Sequence, residues 1–382
     1  MAGYTLKEFF SRDLVRRLAG DIHRVHPDFP AKAFISRAGA GLEDLELLDR
    51  ARHLARVLAQ FLPPAYPEAI DVLLRSLGPE HESDELLGVG MAPFYYMPHV
   101  LFVAERGLDH FDLSMRAQYE LTKRFSAESS IRFYIDQHPE RTFAILRRWI
   151  GDENAHVRRL VSEGTRLRLP WAPRVRWLDE HPERVLELLE LLKDDPSTMV
   201  RRSVANNLND LGKVHPELLA RTCASWRADT TAERRALIEH ALRSAIKRGD
   251  PDALRLLGFG GRAAVAVEGV EFRPSRVAIG GRVSMTFILR STSKKSQDLL
   301  VDVAVHFVKA RGDAKAKVFK LKSIELPPRG RAAFETAFSL AVHTTRVPQP
   351  GTHAVDVLVN GKPYRAGSFE VTPNASRRRR SQ

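Results

Sequence analysis

The sequence predicts two architectures in one chain, an all-α repeat solenoid followed by an all-β sandwich, and three observations carry that prediction. Apolar residues in the first part recur at helical steps: Leu14, Leu18 and Ile22, then Leu45, Leu48, Leu54, Val57, Leu58 and Phe61. A block of sequence then returns at a fixed offset. H-P-E-R at 138–141 reappears at 181–184, and Asp152, Val157, Arg158 and Arg159 reappear as Asp195, Val200, Arg201 and Arg202. After Gly258 the apolar period falls to two, with Val283, Met285, Phe287 and Leu289, then Val301, Val303, Val305 and Phe307.

Turn residues at 27–30, 39–41 and 63–67 cut the first helical run into separate helices. Residues 78–98 are irregular and end in Phe94, Tyr95 and Tyr96, an aromatic cluster expected to pack in the core. The repeat that follows has a shorter third copy, with H-P-E at 215–217 and Arg234–Arg235 in the arginine places. Helix pairs at such a period indicate HEAT-like repeats, each burying its apolar face against the next while its second helix lines one surface. Near the C-terminus, Val355, Val357 and Val359 lead into Asn360–Gly361, a hairpin signal, and Phe369 and Val371 lie on the returning strand. About seven such runs indicate an antiparallel sandwich of immunoglobulin type. The expected organisation is a multidomain chain: a helical domain over 1–258, a sandwich over 259–373 and a disordered basic tail over 374–382.

Composition narrows the partner. The chain has 382 residues and a formal net charge of +13. Residues 1–260 hold 38 basic and 38 acidic side chains, so the remaining 22 basic and 9 acidic of residues 261–382 account for the whole excess. Within the neutral part, residues 1–115 carry 12 basic against 17 acidic side chains, and residues 116–176 carry 13 against 7. Segregation of this kind favours a polyanion as partner. The single Cys223 excludes an internal disulfide and a cysteine-based zinc cluster. No long apolar run or secretory leader is visible, so the expectation is a soluble monomer in the cytoplasm, at the bacterial nucleoid, with no membrane partner. No nucleotide-binding glycine loop, H-E-x-x-H or nucleophile–base–acid triad stands out, and neither metal nor cofactor is expected.

The stretch 152–171 concentrates what chemistry there is. If 155–164 is a helix, Arg159 and Glu163 stand one turn apart on one face, Gly164 ends the helix, and Pro170 fixes the chain before Trp171. Arginines 158/159, 201/202 and 234/235 fall at equivalent places on successive repeats and form a cationic ladder suited to phosphates. His156 is expected to be exposed or structural. Near the ladder the carboxylates are Glu128, Glu163 and Asp210; Asn206 occupies the place of Glu163 in its own repeat and shares a face with Asp210.

The run H-V-R-R-L-V-S-E-G-T-R-L-R-L-P-W at 156–171, with F-S-A-E-S-S-I-R at 125–132 and V-R-R-S-V-A-N-N-L-N-D at 200–210, resembles the AlkC-type DNA alkylation repair glycosylases. These are HEAT-like repeat relatives of AlkD, some with an immunoglobulin-like C-terminal domain. The resemblance implies a monofunctional glycosylase of base excision repair that releases cationic bases such as 3-methyladenine and 3-methylcytosine from double-stranded DNA without base flipping. It places Glu128, Glu163, Trp171 and Asp210 around the damaged nucleotide and Arg159 on the backbone. Arg158, Arg166, Arg201, Arg202, Asn206, Arg234 and Arg235 are the further DNA-binding candidates. A base alkylated at N3 is already cationic, so what needs stabilising is the sugar as it turns into an oxocarbenium ion; carboxylates near the anomeric carbon do this, and one of them directs water. Glu163 is the first candidate for that role, with Glu128 supporting it. No deep base pocket is visible in the sequence. The rival classes are a non-catalytic scaffold binding nucleic acid and a protein-interaction solenoid. The presence of both Glu128 and Glu163 favours the enzyme.

Overall fold

A computed structural model describes residues 6–81, 92–228, 231–261, 263–309, 312–342 and 347–373. The basic tail, expected to be disordered, and part of the irregular stretch 78–98 lie outside the described residues. The chain divides into two compact units, one of residues 1–219 and 226–241, the other of residues 220–225 and 242–382.

The helices run in the order α1 (Arg12–Val25), α2 (Ala31–Gly39), α3 (Leu47–Phe61), α4 (Tyr66–Arg75), α5 (Met97–Arg106), α6 (Phe111–Thr122), α7 (Ile131–Gln137), α8 (Pro139–Trp149), α9 (Ala155–Gly164), α10 (Arg176–Glu180), α11 (Pro182–Leu192), α12 (Thr198–Leu211), α13 (Pro216–Arg227), α14 (Ala232–Lys247) and α15 (Pro251–Leu256). The turns expected at 27–30, 39–41 and 63–67 separate α1 to α4. The repeat is visible in how the later helices start. Helices α8, α11 and α13 each begin at the proline of an H-P-E motif, where a missing N–H costs nothing, with His138, His181 or His215 as the preceding residue. Each is followed by the arginine-bearing helix of its pair, α9, α12 or α14. Among the described residues no helix is long and apolar enough to cross a membrane.

Helix α9 packs against α12 through its apolar side. Val157, Leu160 and Val161 are buried on α9, and Val200, Val204 and Leu208 on α12. The interface also carries a polar link. Asn207 Nδ2 of α12 donates to the Ser162 carbonyl at 2.8 Å and to Thr165 Oγ1 at 3.1 Å.

Among the described residues the second unit has the strands β1 (Val265–Arg273), β2 (Arg276–Ala278), β3 (Arg282–Ser291), β4 (Gln297–Val308), β5 (Ala314–Leu326), β6 (Arg331–Ser339), β7 (Gly351–Val359) and β8 (Lys362–Thr372). They form a three-stranded sheet ordered β1-β3-β6 and a five-stranded sheet ordered β2-β8-β7-β4-β5. The period-two residues of β3, β4, β7 and β8 make one apolar core. Asn360 and Gly361 close the β7–β8 hairpin with φ of 48° and 73°, the left-handed pair that a two-residue turn of this kind requires. The Asn360 side chain also accepts from the Leu300 N–H at 2.9 Å, which joins the turn to β4.

Candidate active site

The site is assembled from four short pieces of the helical unit: the 126–132 turn into α7, helix α9, the loop 165–173, and the C-terminal half of α12. Asn154 caps α9 by accepting from the N–H groups of His156 and Val157, which fixes where the helix begins and therefore which way Arg159 and Glu163 point. Gly164 is the last residue of α9, where the helix is expected to end, and it keeps a negative φ. A Cβ there would stand 2.5 Å from Ile131 Cγ2, and only glycine allows α7 and α9 to approach this closely.

Five ion pairs join six charged groups in a row. Arg159 Nη2 lies 3.0 Å from Glu128 Oε2 and 3.8 Å from Glu163 Oε1. Arg166 Nη1 donates to Glu163 Oε1 at 2.5 Å, and its other edge holds Asp210 Oδ2 at 2.8 Å. Lys213 Nζ closes the row on Asp210 Oδ1 at 2.7 Å. Serines complete the shell: Ser203 Oγ donates to Glu163 Oε2 at 2.5 Å and Ser126 Oγ to Glu128 Oε2 at 2.8 Å. Three carboxylates and three cations therefore alternate, and two of the carboxylates are buried, Glu163 at 5% exposure and Asp210 at 1%.

Burial by itself would push the Glu163 carboxyl up. The charges of Arg159 and Arg166 and the Ser203 hydrogen bond outweigh it, so the group stays below its ordinary range and remains ionised. Burial likewise works against charge on Arg159 and Arg166, and the carboxylates beside them hold both guanidiniums above their usual value. An ionised carboxylate kept out of water and already surrounded by oriented donors acts on a nearby charge with little screening.

Trp171 stands on the loop after α9 with φ of 60° and 61% of its surface exposed. A bulky residue in the left-handed region costs on the order of 1–3 kcal/mol, and here it presents an indole to solvent that ordinary backbone would turn elsewhere. The loop is held by Arg132, which no motif argument singles out as a site residue. Arg132 is buried and donates from Nε to the Pro173 carbonyl at 2.7 Å, and from Nη1 to the carbonyls of Gly164 at 3.0 Å and Arg166 at 2.7 Å. Sequence reasoning misses Ser126 and Ser203 as well. Their signal is only that one precedes Glu128 by two residues and the other follows the 201/202 pair.

The arginine ladder differs from expectation. Arg158 is bonded inside the fold: its Nε and Nη2 hold the two oxygens of Asp195 at 2.7 and 3.0 Å, and its Nη1 donates to the carbonyls of Asp152 and Glu153. Arg201 repeats this one unit later, donating to the carbonyls of Asp195 and Pro196. Arg234 is paired with Asp194. The first arginine of each pair thus holds its own inter-helix turn or a neighbouring acid. The second members differ: Arg202 and Arg235 are exposed, and Arg159 meets Glu128. Arg166 also departs from a phosphate-facing role, since it is clamped between Glu163 and Asp210. Asp210 in turn is buried on Arg166 and Lys213, so it positions Arg166. Asn206 is half-buried with His240 at 3.0 Å. His156 is buried and structural, its ring 4.9 Å from that of His81.

Beside Glu128, Arg159 and Trp171 opens a cavity of about 390 Å³, which no sequence motif anticipates. Phe94 lines it, while Tyr95 and Tyr96 are buried in packing. Among the described residues, no group of three or more His, Cys, Asp or Glu side chains is placed to hold a metal ion.

Comparison with known proteins matches residues 125–248 to the family described as "DNA alkylation repair enzyme" and residues 266–373 to the family described as "Uncharacterised protein YhaZ, C-terminal Ig-like domain". The uncharacterized protein YhaZ of Bacillus subtilis (strain 168) is 33% identical over 369 residues, covering 96% of this chain and 99% of its own. The solved structure of the Pseudomonas fluorescens alkylpurine DNA glycosylase AlkC, bound to DNA containing an abasic site analog, superposes with a TM-score of 0.89 at 36% identity, covering 97% of this chain and 100% of that one. The helical repeats, the immunoglobulin-like strand domain and these full-length matches agree: the chain belongs to the AlkC-type family of DNA alkylation repair enzymes.

Proposed function

We propose that the protein is a monofunctional DNA glycosylase that hydrolyses the N-glycosidic bond of cationic alkylated bases, 3-methyladenine and 3-methylcytosine, in duplex DNA. One observation carries the reading: Glu163 is an ionised carboxylate buried beside a second one, Glu128, with a single guanidinium, Arg159, between them. A positively charged base is already a good leaving group, so the enzyme has no base to protonate. The charge to be stabilised develops on the sugar, and paired carboxylates answer it as they do in glycoside hydrolysis. Glu163 faces the developing oxocarbenium ion and directs water, Glu128 supports it, and the electron-rich face of Trp171 lies against the deoxyribose. Asp210 fixes Arg166, and through it the position of Glu163.

Arg159 has a double part. Without DNA it neutralises Glu128; a phosphate drawn into its fork shifts its charge away from the carboxylates and raises their pull on a cation. Arg202 and Arg235, exposed on the following repeats, hold further phosphates. Since the base departs from a sugar reached in the groove, it need not be extruded beforehand.

The test is release of free methylated base from alkylated duplex DNA, read by chromatography. Wild-type protein is expected to release it. Glu163→Gln is expected to lower the single-turnover rate by about 10²–10³-fold, as loss of one preorganised electrostatic group does, while leaving duplex affinity nearly unchanged. Full activity in Glu163→Gln removes the assignment.

A further inference from the structure

The cavity beside the site has a chemistry of its own. Phe94, Met97, Leu101, Phe125, Phe133 and Trp171 line it. Its volume of about 390 Å³ lies at the small end of the roughly 300–1,000 Å³ of small-molecule sites. Met97, Leu101 and Glu105 come from one stripe of α5, four residues apart, so the helix turns two apolar side chains and one carboxylate into the same hollow.

Two features make it a ligand site. Among the described residues, the large aromatic side chains with substantial exposure are Phe133, at 36%, and Trp171, at 61%, and both line this cavity. Water-facing aromatic rings set around one concave wall mark surface that awaits a partner. The polar lining, moreover, includes two carboxylates, Glu105 and Glu128. Glu128 uses only Oε2 for Ser126 and Arg159, and its Oε1 has no hydrogen-bond partner among the described residues. Glu105 forms no ion pair there either, and it is exposed at the rim. The occupant that fits is flat, aromatic, small, and carries N–H donors along one edge. A phosphate or a sugar does not match the aromatic wall, and of the two lining guanidiniums Arg159 already pairs with Glu128 and Arg52 with Asp49.

We propose that this cavity binds the free methylated nucleobase after its bond to the sugar is broken, its faces against the aromatic wall and its donor edge on Glu128. The inference rests on the glycosylase reading above. Cleavage beside Glu163 and Glu128 leaves a base that must move off, and the cavity opens next to Glu128. Bound base would then act as a product inhibitor.

Titration of the full-length protein with 3-methyladenine, by calorimetry and by quenching of tryptophan fluorescence, tests this. Saturable binding at one site is expected. Phe133→Ala, which trims a half-exposed ring, and Leu101→Trp, which fills the hollow, are each expected to weaken it by about tenfold, the worth of one aromatic contact. If Leu101→Trp does not fold, as judged by circular dichroism, Phe133→Ala carries the comparison alone. No saturable binding up to the solubility limit, or undiminished binding in the folded variants, overturns the proposal. The binding readout requires no turnover, which separates the two readings. Base release from DNA without 3-methyladenine binding sinks the cavity and spares the glycosylase; binding at this cavity with no release from DNA supports a base site and sinks the glycosylase.

Discussion

Glu163 is where burial and charge pull in opposite directions, and charge wins. Because its carboxyl lies below the ordinary value of 4.5 in the folded protein, the ionised group contributes stability that is complete above that value and is withdrawn as pH falls through the lower folded one. Glu163→Gln has no such proton to take up. It is expected to be less stable than the parent at neutral pH, where two guanidiniums have lost a partner, and to lose less further stability below pH 4.5. Urea denaturation at neutral and acidic pH measures both, and equal acid sensitivity in the two proteins contradicts the depressed carboxyl. The neighbouring residue makes a second prediction. Alanine at Gly164 gains up to about 1 kcal/mol of helix propensity, yet its methyl meets the fully buried Ile131 at 2.5 Å. Overpacking costs about 1–3 kcal/mol, so Gly164→Ala is expected to lower the thermal midpoint, with excision falling as α7 and α9 separate.

At the scale of elements, the 126–132 turn, α9 and the Trp171 loop act as one piece because Arg132 holds three carbonyls from two of them. Burial lowers Arg132 to about 10, still well above neutral pH, so its charge is retained. Arg132→Met keeps the volume and removes the donors. With a charged hydrogen bond worth about 1.5–3 kcal/mol and buried carbonyls left unmade, the variant is expected to lose about 3 kcal/mol in denaturant unfolding, and excision rate more than duplex affinity. Unchanged excision in a folded Arg132→Met protein separates the Trp171 loop from the chemistry. Much at this scale is legible in the sequence. The H-P-E motifs mark where α8, α11 and α13 begin, and period-two residues mark β3, β4, β7 and β8, since both signals are local. What stays hidden is the partner of each charge. Spacing places Arg158 and Arg159 side by side on α9, yet one reaches Asp195 of the next repeat and the other Glu128, from a turn before α7. Those pairings depend on how repeats stack, and the linear pattern does not encode the distance between them. Arg132 is hidden for the same reason: its carbonyl acceptors have no side-chain identity to read.

At the scale of the whole molecule, the excess of 22 basic over 9 acidic side chains beyond residue 260 is displayed in part on one strand. Strand β5 is an edge of the five-stranded sheet and exposes Lys317, Lys320 and Lys322. Lysines on an edge discourage another chain from adding a strand, and that alone would explain them. The distribution of charge argues for more. Lys317 and Lys322 lie opposite Val305 and Val301, whereas Lys320 lies opposite Asp302, so the ammonium groups leave both faces of the strand where one would suffice to block pairing. Replacing all three by glutamine is therefore expected to weaken duplex binding and to flatten its salt dependence, by about 0.9 in the logarithmic slope for each lysine that displaces a counterion. Fluorescence anisotropy with an undamaged duplex across a salt series reads this without any excision. A slope that stays the same while the variant self-associates would assign the lysines to edge protection and leave phosphate binding to Arg159, Arg202 and Arg235.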